Sequence, residues 1–186
     1  MGLLDRIRRR LRPARATPQP PPAEPGLRKL ADGTVLERCR WVSAPELVSL
    51  LTPQGHPQLH IHWREAPDCA EDLPDLRELH LFWAHHADFI GVCWDRVGAE
   101  PAPAPAASAR QVDAWHRAYG LTWESLVLDG AGPPPLEALG LADLTLPQVI
   151  LRGADGTVLF HRVGTFEEGD RARLALVLRE KCSGAP

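Results

Sequence analysis

Hydrophobic and polar residues alternate with two different periods from about residue 34 onward. A two-residue period or a short apolar run indicates a strand, whereas apolar positions three and four residues apart indicate a helix. The clearest strand covers 58–63, where three apolar side chains face one way and His60 and His62 face the other. Strands are predicted over residues 34–42, 58–63, 89–94, 126–128, 147–151 and 157–163, and helices over 44–51, 71–86, 108–120 and 166–181.

Turn-forming residues separate these elements. The Ala/Pro-rich stretch 99–107 predicts a surface loop, Ser108 is the expected N-cap of the helix that follows, and Gly120 is its expected end. Residues 153–156 (GADG) join two predicted strands and indicate a hairpin. Alternating strands and helices predict an α/β domain in which helices cover a central mixed sheet.

The chain divides into four segments: a basic segment (1–12), a proline-rich linker (13–29), the α/β domain (30–182) and a short tail (183–186). Residues 3–12 combine an apolar stripe with five arginines, the pattern of a basic amphipathic helix. Two interpretations remain open for this segment. It is a solvated, partly helical tail, or it is an anchor on an anionic membrane surface or a partner.

Composition narrows the class of protein. Of 186 residues, 44% are hydrophobic and 24% charged, which is typical of a globular chain.

Charge is distributed unevenly along the chain. Residues 1–30 carry eight Lys and Arg against two acidic residues, whereas the whole chain has a net charge of −3. The rest of the chain is therefore acidic, which argues against a nucleic-acid-binding domain. The first residues do not have the pattern of a secretory signal, no stretch is long and apolar enough for a membrane span, and four cysteines are too few for a disulfide scaffold. We therefore expect a cytoplasmic protein, with peripheral contact at the inner membrane surface if residues 3–12 are an anchor.

Several local stretches are similar to one known family. After Trp63 the chain continues REAPDCAEDLP, and Leu73-Pro74 follows Cys69 at the spacing that the family shows after its Cys-x-x-Cys motif. Further similar stretches, in the same order, are 89–95, 119–129, 144–156 and Gly164. Over residues 40–182 the chain resembles the thioredoxin-like superfamily in its TlpA/ResA-type (redoxin) branch. The resemblance implies a thioredoxin-like fold.

The resemblance also assigns a second part of the site. Pro147, preceded by Leu146, corresponds to the family's cis-proline beside the active site. The residues alone leave a trans proline at the start of an edge strand as an open alternative.

The family's chemistry uses two cysteines, of which the first attacks a disulfide and the second resolves the mixed disulfide. Here the tetrapeptide is Ala66-Pro67-Asp68-Cys69, so Ala66 stands where the resemblance places the nucleophile. Dithiol exchange within this motif is thereby excluded. Cys69 acting alone remains open, because a helix start favours a thiolate whereas nearby acidic residues disfavour it. Ala66 also lacks the hydroxyl of the threonine that peroxiredoxins place three residues before their cysteine.

The other cysteines and the histidines offer weaker alternatives. Cys93 is expected in the core, Cys182 is expected to be exposed and without a role, and an approach of Cys39 to Cys69 is left open. His60 and His62 share a strand face, but no Cys/His set has the spacing of a zinc site. We predict no metal and no cofactor.

Two functional hypotheses follow. In the first, the chain is a degenerate redoxin that binds an unknown protein partner, for example a thiol protein, through Ala66, Pro67, Asp68, Leu146 and Pro147. In the second, it is a thiol oxidoreductase or peroxidase that works through Cys69 and a partner thiol. An exposed Cys69 with a lowered pKa would favour the second.

Overall fold

A computed structural model describes residues 36, 38–97, 105–128 and 133–182. The basic segment 1–12, the linker 13–29 and the tail 183–186 lie outside the described residues, as do the start of the predicted domain and most of the Ala/Pro-rich stretch. Predictions for those segments therefore stay predictions. Among the helices in the described ranges, none has the length and apolarity needed to cross a bilayer.

Six strands form one mixed sheet in the order β1-β4-β3-β2-β5-β6. Every strand runs parallel to the others except β5, which is antiparallel to both β2 and β6. The strands are β1 (Cys39–Val42), β2 (Gln58–Trp63), β3 (Asp88–Cys93), β4 (Glu124–Leu128), β5 (Gln148–Arg152) and β6 (Val158–Val163). All six coincide with predicted strands, and the predicted α/β architecture with a central mixed sheet is confirmed.

The helices agree with the predictions less closely. They are α1 (Ala44–Leu50), α2 (Pro67–Glu71), α3 (Leu73–Trp83), α4 (Pro105–Tyr119), α5 (Leu136–Leu139) and α6 (Glu168–Val177), followed by a π-helical turn, Leu178–Cys182. The first helix begins with a capping box in which Glu46 accepts hydrogen bonds from the N–H and hydroxyl of Ser43. The short helix α5 had no sequence prediction.

Three predicted helix boundaries were wrong. The helix predicted over 71–86 corresponds to α3 alone, which begins at Leu73 after the N-cap Asp72 and ends at Trp83, whereas Glu71 is the last residue of the separate helix α2. Ser108 is not an N-cap, since α4 begins at Pro105. The last helix begins at Glu168, where Glu167 and Asp170 form a capping box, and gives way to the π-helical turn after Val177.

The two faces of the sheet carry different cores. The first core packs Leu59, Ile61 and Trp63 of β2 against apolar residues of α3, α4 and α6. The second is smaller and packs residues of α1 and α5 against the opposite face. His60 and His62 pair with Ile90 and Val92 in the sheet and so lie on this second face. The alternation predicted for 58–63 is therefore confirmed.

Candidate functional site

The predicted site lies at the edge of the sheet where β2 and β3 end and β5 begins. Since His62 pairs with Gln148, the next positions along the two strands are Trp63 and Pro147. The Leu146–Pro147 peptide bond is cis. The Pro147 carbonyl accepts a hydrogen bond of 2.8 Å from the N–H of Gly164, which follows β6. The segment after β2 and the segment before β5 thus leave the sheet side by side.

The loop from β2 to α2 is held by the end of β3. The Trp94 N–H donates to the Trp63 carbonyl at 2.9 Å, and the Glu65 N–H donates to Asp95 Oδ1 at 2.6 Å. Ala66 is the N-cap of α2, and its carbonyl accepts hydrogen bonds from the N–H groups of Cys69 and Ala70. The loop therefore places Ala66 at the N-cap of α2, and Cys69 is the third residue of that helix.

Cys69 is buried at this position, with 2% of its surface exposed. Burial raises the pKa of the Cys69 thiol above its ordinary value, since a thiolate loses hydration there. A backbone hydrogen bond from Arg64 and the Arg64 charge act in the opposite direction, whereas Asp68 and Asp72 raise the pKa further. The sequence alone left open whether Cys69 favours the thiolate or the thiol, and its surroundings in the structure favour the neutral thiol.

The other predicted residues divide between surface and core. Pro67 and Asp68 are exposed, whereas Ala66 and Leu146 are partly buried against the same core that contains Cys69. Pro147 is buried. The structure therefore brings all six residues to one end of the sheet, with Pro67 and Asp68 facing solvent.

The remaining cysteines lie on other elements of the fold: Cys39 in β1, Cys93 in β3 and Cys182 in the π-helical turn. All four cysteines are buried thiols. Cys93 is in the core as expected; its thiol donates to Asp95 Oδ2 at 3.2 Å, and burial raises its pKa well above the ordinary value. The expectation of an exposed Cys182 was wrong, because Cys182 packs in the first core with Leu178 and is 5% exposed. Cys39 lies in β1, which β4 and β3 separate from β2.

The two strand histidines are engaged within the protein. His60 Nε2 lies 2.9 Å from Gln58 Oε1, and His62 Nδ1 accepts a 3.2 Å hydrogen bond from Trp94 Nε1. Their ring centroids are 6.1 Å apart. In the part of the chain that the structure describes, no three His, Cys, Asp or Glu side chains converge in a group that would hold a metal ion.

Sequence reasoning missed a surface pocket of about 280 Å³ beside the loop after β2, lined by Glu65, Asp95, Ala107, Ser108 and Gln111. It also missed Asp72, which is buried and accepts a 2.8 Å hydrogen bond from the Phe166 N–H. A signal for the pocket was available: Glu65 and Asp95 each follow the end of a parallel strand, and such ends meet at one edge of a sheet.

No protein-family model matches the sequence, and no curated protein matches it. Solved structures do match. A thiol-disulfide isomerase from Corynebacterium glutamicum aligns over 71% of this chain and 84% of its own with a TM-score of 0.54 and 14% identity. A thioredoxin-family thiol:disulfide interchange protein from Chlorobium tepidum TLS aligns over 72% of this chain and 83% of its own (TM-score 0.53, 18% identity).

A thioredoxin-like protein in its oxidized form aligns over 69% of this chain and 82% of its own, with a TM-score of 0.54 and 15% identity. At such identities the likeness concerns the fold. This chain has the thioredoxin-like fold that the sequence resemblance implied.

Proposed function

We propose that the chain is a redoxin-type thioredoxin-like domain that has lost dithiol exchange and acts by binding a protein partner. The observation that carries the proposal is the state of the only cysteine in the motif. Cys69 is 2% exposed and its pKa is raised, while Ala66, which cannot attack a disulfide, stands three residues before it at the start of α2.

The chemistry of exchange explains why these features matter. A disulfide is cleaved when a thiolate reaches one of its sulfurs in line with the S–S bond, so the attacking thiol must be exposed and partly ionised. Cys69 meets neither requirement, because its raised pKa keeps the thiol protonated and its burial keeps the sulfur away from solvent. A partner would meet Pro67 and Asp68 at this end of the sheet before it met any sulfur.

The surface proposed for binding combines the exposed Pro67 and Asp68 with the half-buried Leu146 beside Pro147. Pro67 begins a helix and Pro147 precedes a strand, so both are held by regular structure rather than by a free loop. Two fold neighbours are described as a thiol-disulfide isomerase and a thiol:disulfide interchange protein. By analogy we propose an extended segment of a thiol protein as the partner class.

The second candidate is a thiol oxidoreductase or peroxidase that uses Cys69 with a partner thiol. One observation favours it: the backbone and the charge of Arg64 both lower the pKa of Cys69. They do not offset burial and the two aspartates, which is why we place this candidate second. Cytoplasmic location and membrane contact through residues 3–12 remain predictions.

The test is the pH dependence of iodoacetamide alkylation at each cysteine, followed by peptide mass spectrometry on the folded protein. We expect Cys69 to be protected, and to react at the rate of a free thiol only after unfolding. Fast alkylation of Cys69 with a midpoint below about 8.5, the value of a free thiol, would instead establish the second candidate.

A gain-of-function variant completes the test. Ala66→Cys restores a Cys-x-x-Cys motif, and we expect it to form an internal disulfide with Cys69 and to reduce insulin, whereas we expect no insulin reduction by the parent protein. Ala66→Ser is the matched control, because it changes the same position without adding a sulfur. Insulin reduction by the parent protein at the rate of Ala66→Cys would contradict the proposal.

A further inference from the structure

The solvent-exposed side of α3 carries an apolar pair, Leu81 and Phe82, which we call the α3 patch. Leu81 is 58% exposed and Phe82 is 71% exposed, the highest values among the large apolar side chains of the described ranges. We propose that the α3 patch is the docking surface for residues 3–12 of this same chain. Neither Cys69 nor Pro147 belongs to the patch, so the inference does not depend on the proposed loss of exchange.

The α3 patch differs from the other exposed apolar positions in the described ranges. Those positions are Val158, Val163 and Leu176, which lie on β6 and α6 and are not adjacent to one another along the chain. Single exposed apolar side chains are common on protein surfaces, whereas an apolar patch marks a place of contact. Leu81 and Phe82 combine an aliphatic and an aromatic side chain on one helix, so a second apolar helix face can cover both.

Residues 3–12 have the pattern of such a face. Four apolar side chains form a stripe, and five arginines occupy other positions; the stripe consists of Leu3, Leu4, Ile7 and Leu11. The stretch is shorter than the roughly 12–15 residues that an isolated helix needs in water. A helix over 3–12 therefore requires a surface that covers its apolar stripe, and the α3 patch provides one.

The chain enters the described domain beside α3. Leu36 packs in the first core, and the guanidinium of Arg38 donates to the Thr122 carbonyl. The Thr122 hydroxyl lies 2.6 Å from Nδ1 of His80, the residue before the patch. Residues 13–35 would span at most about 70 Å if fully extended, so they permit a return to α3. Because docking is then intramolecular, a small apolar contact suffices.

Charge favours the basic segment over a second copy of the chain. The carboxylates of Asp75 and Glu78 on α3 are half-exposed and share one cation, the guanidinium of Arg171. Both carboxylates therefore keep acceptor capacity for a further arginine beside the patch. Arg77 of the same helix donates to the Gly120 carbonyl at 3.1 Å. Two copies of the acidic domain would repel each other, whereas the arginines of residues 3–12 are attracted to it.

The test uses the full chain, labelled with ¹⁵N and ¹³C, and the secondary chemical shifts of its Cα atoms. We expect helical shifts over residues 3–12 that stay the same on dilution of the sample, because the docking is intramolecular. Ile7→Asn places an amide in the middle of the apolar stripe. We expect it to remove the helical shifts and to move the backbone amide signals of Leu81 and Phe82.

Variants of the α3 patch test the other side of the contact. The double variant Leu81→Gln/Phe82→Gln should lower the docking equilibrium constant about tenfold, because the apolar cover is lost. Val163→Gln is the matched control and should leave the shifts of residues 3–12 unchanged. Val163 is exposed but ends β6, whereas α3 leads to the start of β3, which runs parallel to β6.

A charge variant is expected to have a smaller effect. Glu78→Gln removes one carboxylate beside the patch, and we expect it to lower the docking equilibrium constant about twofold. Glu137→Gln is its control, because Glu137 is exposed on α5, which packs on the opposite face of the sheet.

Any of four outcomes would overturn the inference. Residues 3–12 without helical shifts in the parent chain would be a solvated tail. Helical shifts that appear only with vesicles of phosphatidylcholine and phosphatidylglycerol would identify a membrane anchor. Helical shifts that disappear on dilution would identify a second copy as the partner. Shifts over 3–12 that are equal in the parent and in Leu81→Gln/Phe82→Gln would exclude the α3 patch. The amide spectrum also reports whether each variant is folded, so loss of docking by misfolding is recognised.

Discussion

Two regions of this molecule bury ionisable side chains, and they do so in different ways. Around Cys69 the thiol packs in the first core, beneath a rim of exposed polar residues. On the other face of the sheet, Gln58, His60, His62 and Gln148 form a buried layer, which we call the histidine layer. In both regions burial favours the neutral form, raising the pKa of the thiol and lowering the pKa of the imidazoles.

The difference lies in the hydrogen bonds. The histidine layer is a network: Gln58 bridges His60 and the Leu50 carbonyl, Trp94 donates to His62, and Gln148 lies 3.2 Å from the ring of His161. The Cys69 thiol packs in the first core and has one backbone hydrogen bond, from Arg64. The same desolvation therefore favours the neutral thiol of Cys69 and the neutral imidazoles of His60 and His62.

The largest expected effect is acid destabilisation through the histidine layer. Burial lowers the pKa of His62 to about 3, with the nearby charges of Arg152 and His161 acting in the same direction. Below pH 6.5 the unfolded chain therefore binds a proton that the folded chain does not, and the free energy of unfolding falls as the pH falls. At pH 5 His62 alone should cost about 2 kcal/mol relative to pH 8. Urea unfolding across this range measures the loss.

His62→Asn tests whether His62 is a source of this pH dependence. The asparagine amide oxygen replaces Nδ1 as the hydrogen-bond acceptor, and the amide does not titrate. The substitution should flatten the dependence of stability on pH between 6.5 and 5, whereas His85→Asn, at an exposed position, should leave the slope unchanged. An unchanged slope in His62→Asn would show that His62 is not a source of the acid destabilisation.

A smaller effect is expected near Cys69, at Asp72. Its Oδ1 accepts from the Phe166 N–H and so joins the start of α3 to the segment after β6. Asp72→Ala should lower the free energy of unfolding by about 1.5 kcal/mol, because it leaves a backbone donor without its acceptor.

Asp72→Asn is the control for that substitution, since it keeps an oxygen acceptor at the same position. Burial raises the pKa of Asp72, so the ionised carboxylate is disfavoured in the fold and its neutral isostere should cost less than alanine. Thermal unfolding at neutral pH compares the two variants. Equal losses would mean that the hydrogen bond to Phe166 contributes nothing measurable.

The smallest effect is expected for Trp94→Phe in the histidine layer. The ring of Trp94 stacks on His62 with centroids 5.8 Å apart, and phenylalanine preserves an aromatic surface there. The variant loses the Nε1–H donor to His62, for which we expect a cost of about 1 kcal/mol in chemical unfolding. Trp115→Phe, in the stacked pair with Trp63 on the first face, is the matched comparison. A larger loss of stability for Trp115→Phe than for Trp94→Phe would show that ring stacking contributes more to stability than the hydrogen bond to His62.

The residue pattern alone determined most of the architecture. Strand 58–63 was recognisable because its side chains alternate, and that alternation reflects a sheet with a different core on each face. The hairpin at residues 153–156 was recognisable from its glycines; Gly156 has a φ of 84°, which glycine adopts without strain. Such features depend on neighbours along the chain, so local rules suffice to find them.

Only the tertiary structure decided the state of the site. The charges around Cys69 are visible in the sequence, but the sign of its pKa shift depends on how completely other elements cover the thiol. Cys182, next to Lys181 in the sequence, is buried because it packs with Leu174 and Leu178 in the first core. The pocket likewise needs the end of β2, the end of β3 and the start of α4 at one place. The burial of a side chain, and the meeting of several elements at one place, depend on residues that are distant in sequence. A local sequence pattern therefore cannot predict them.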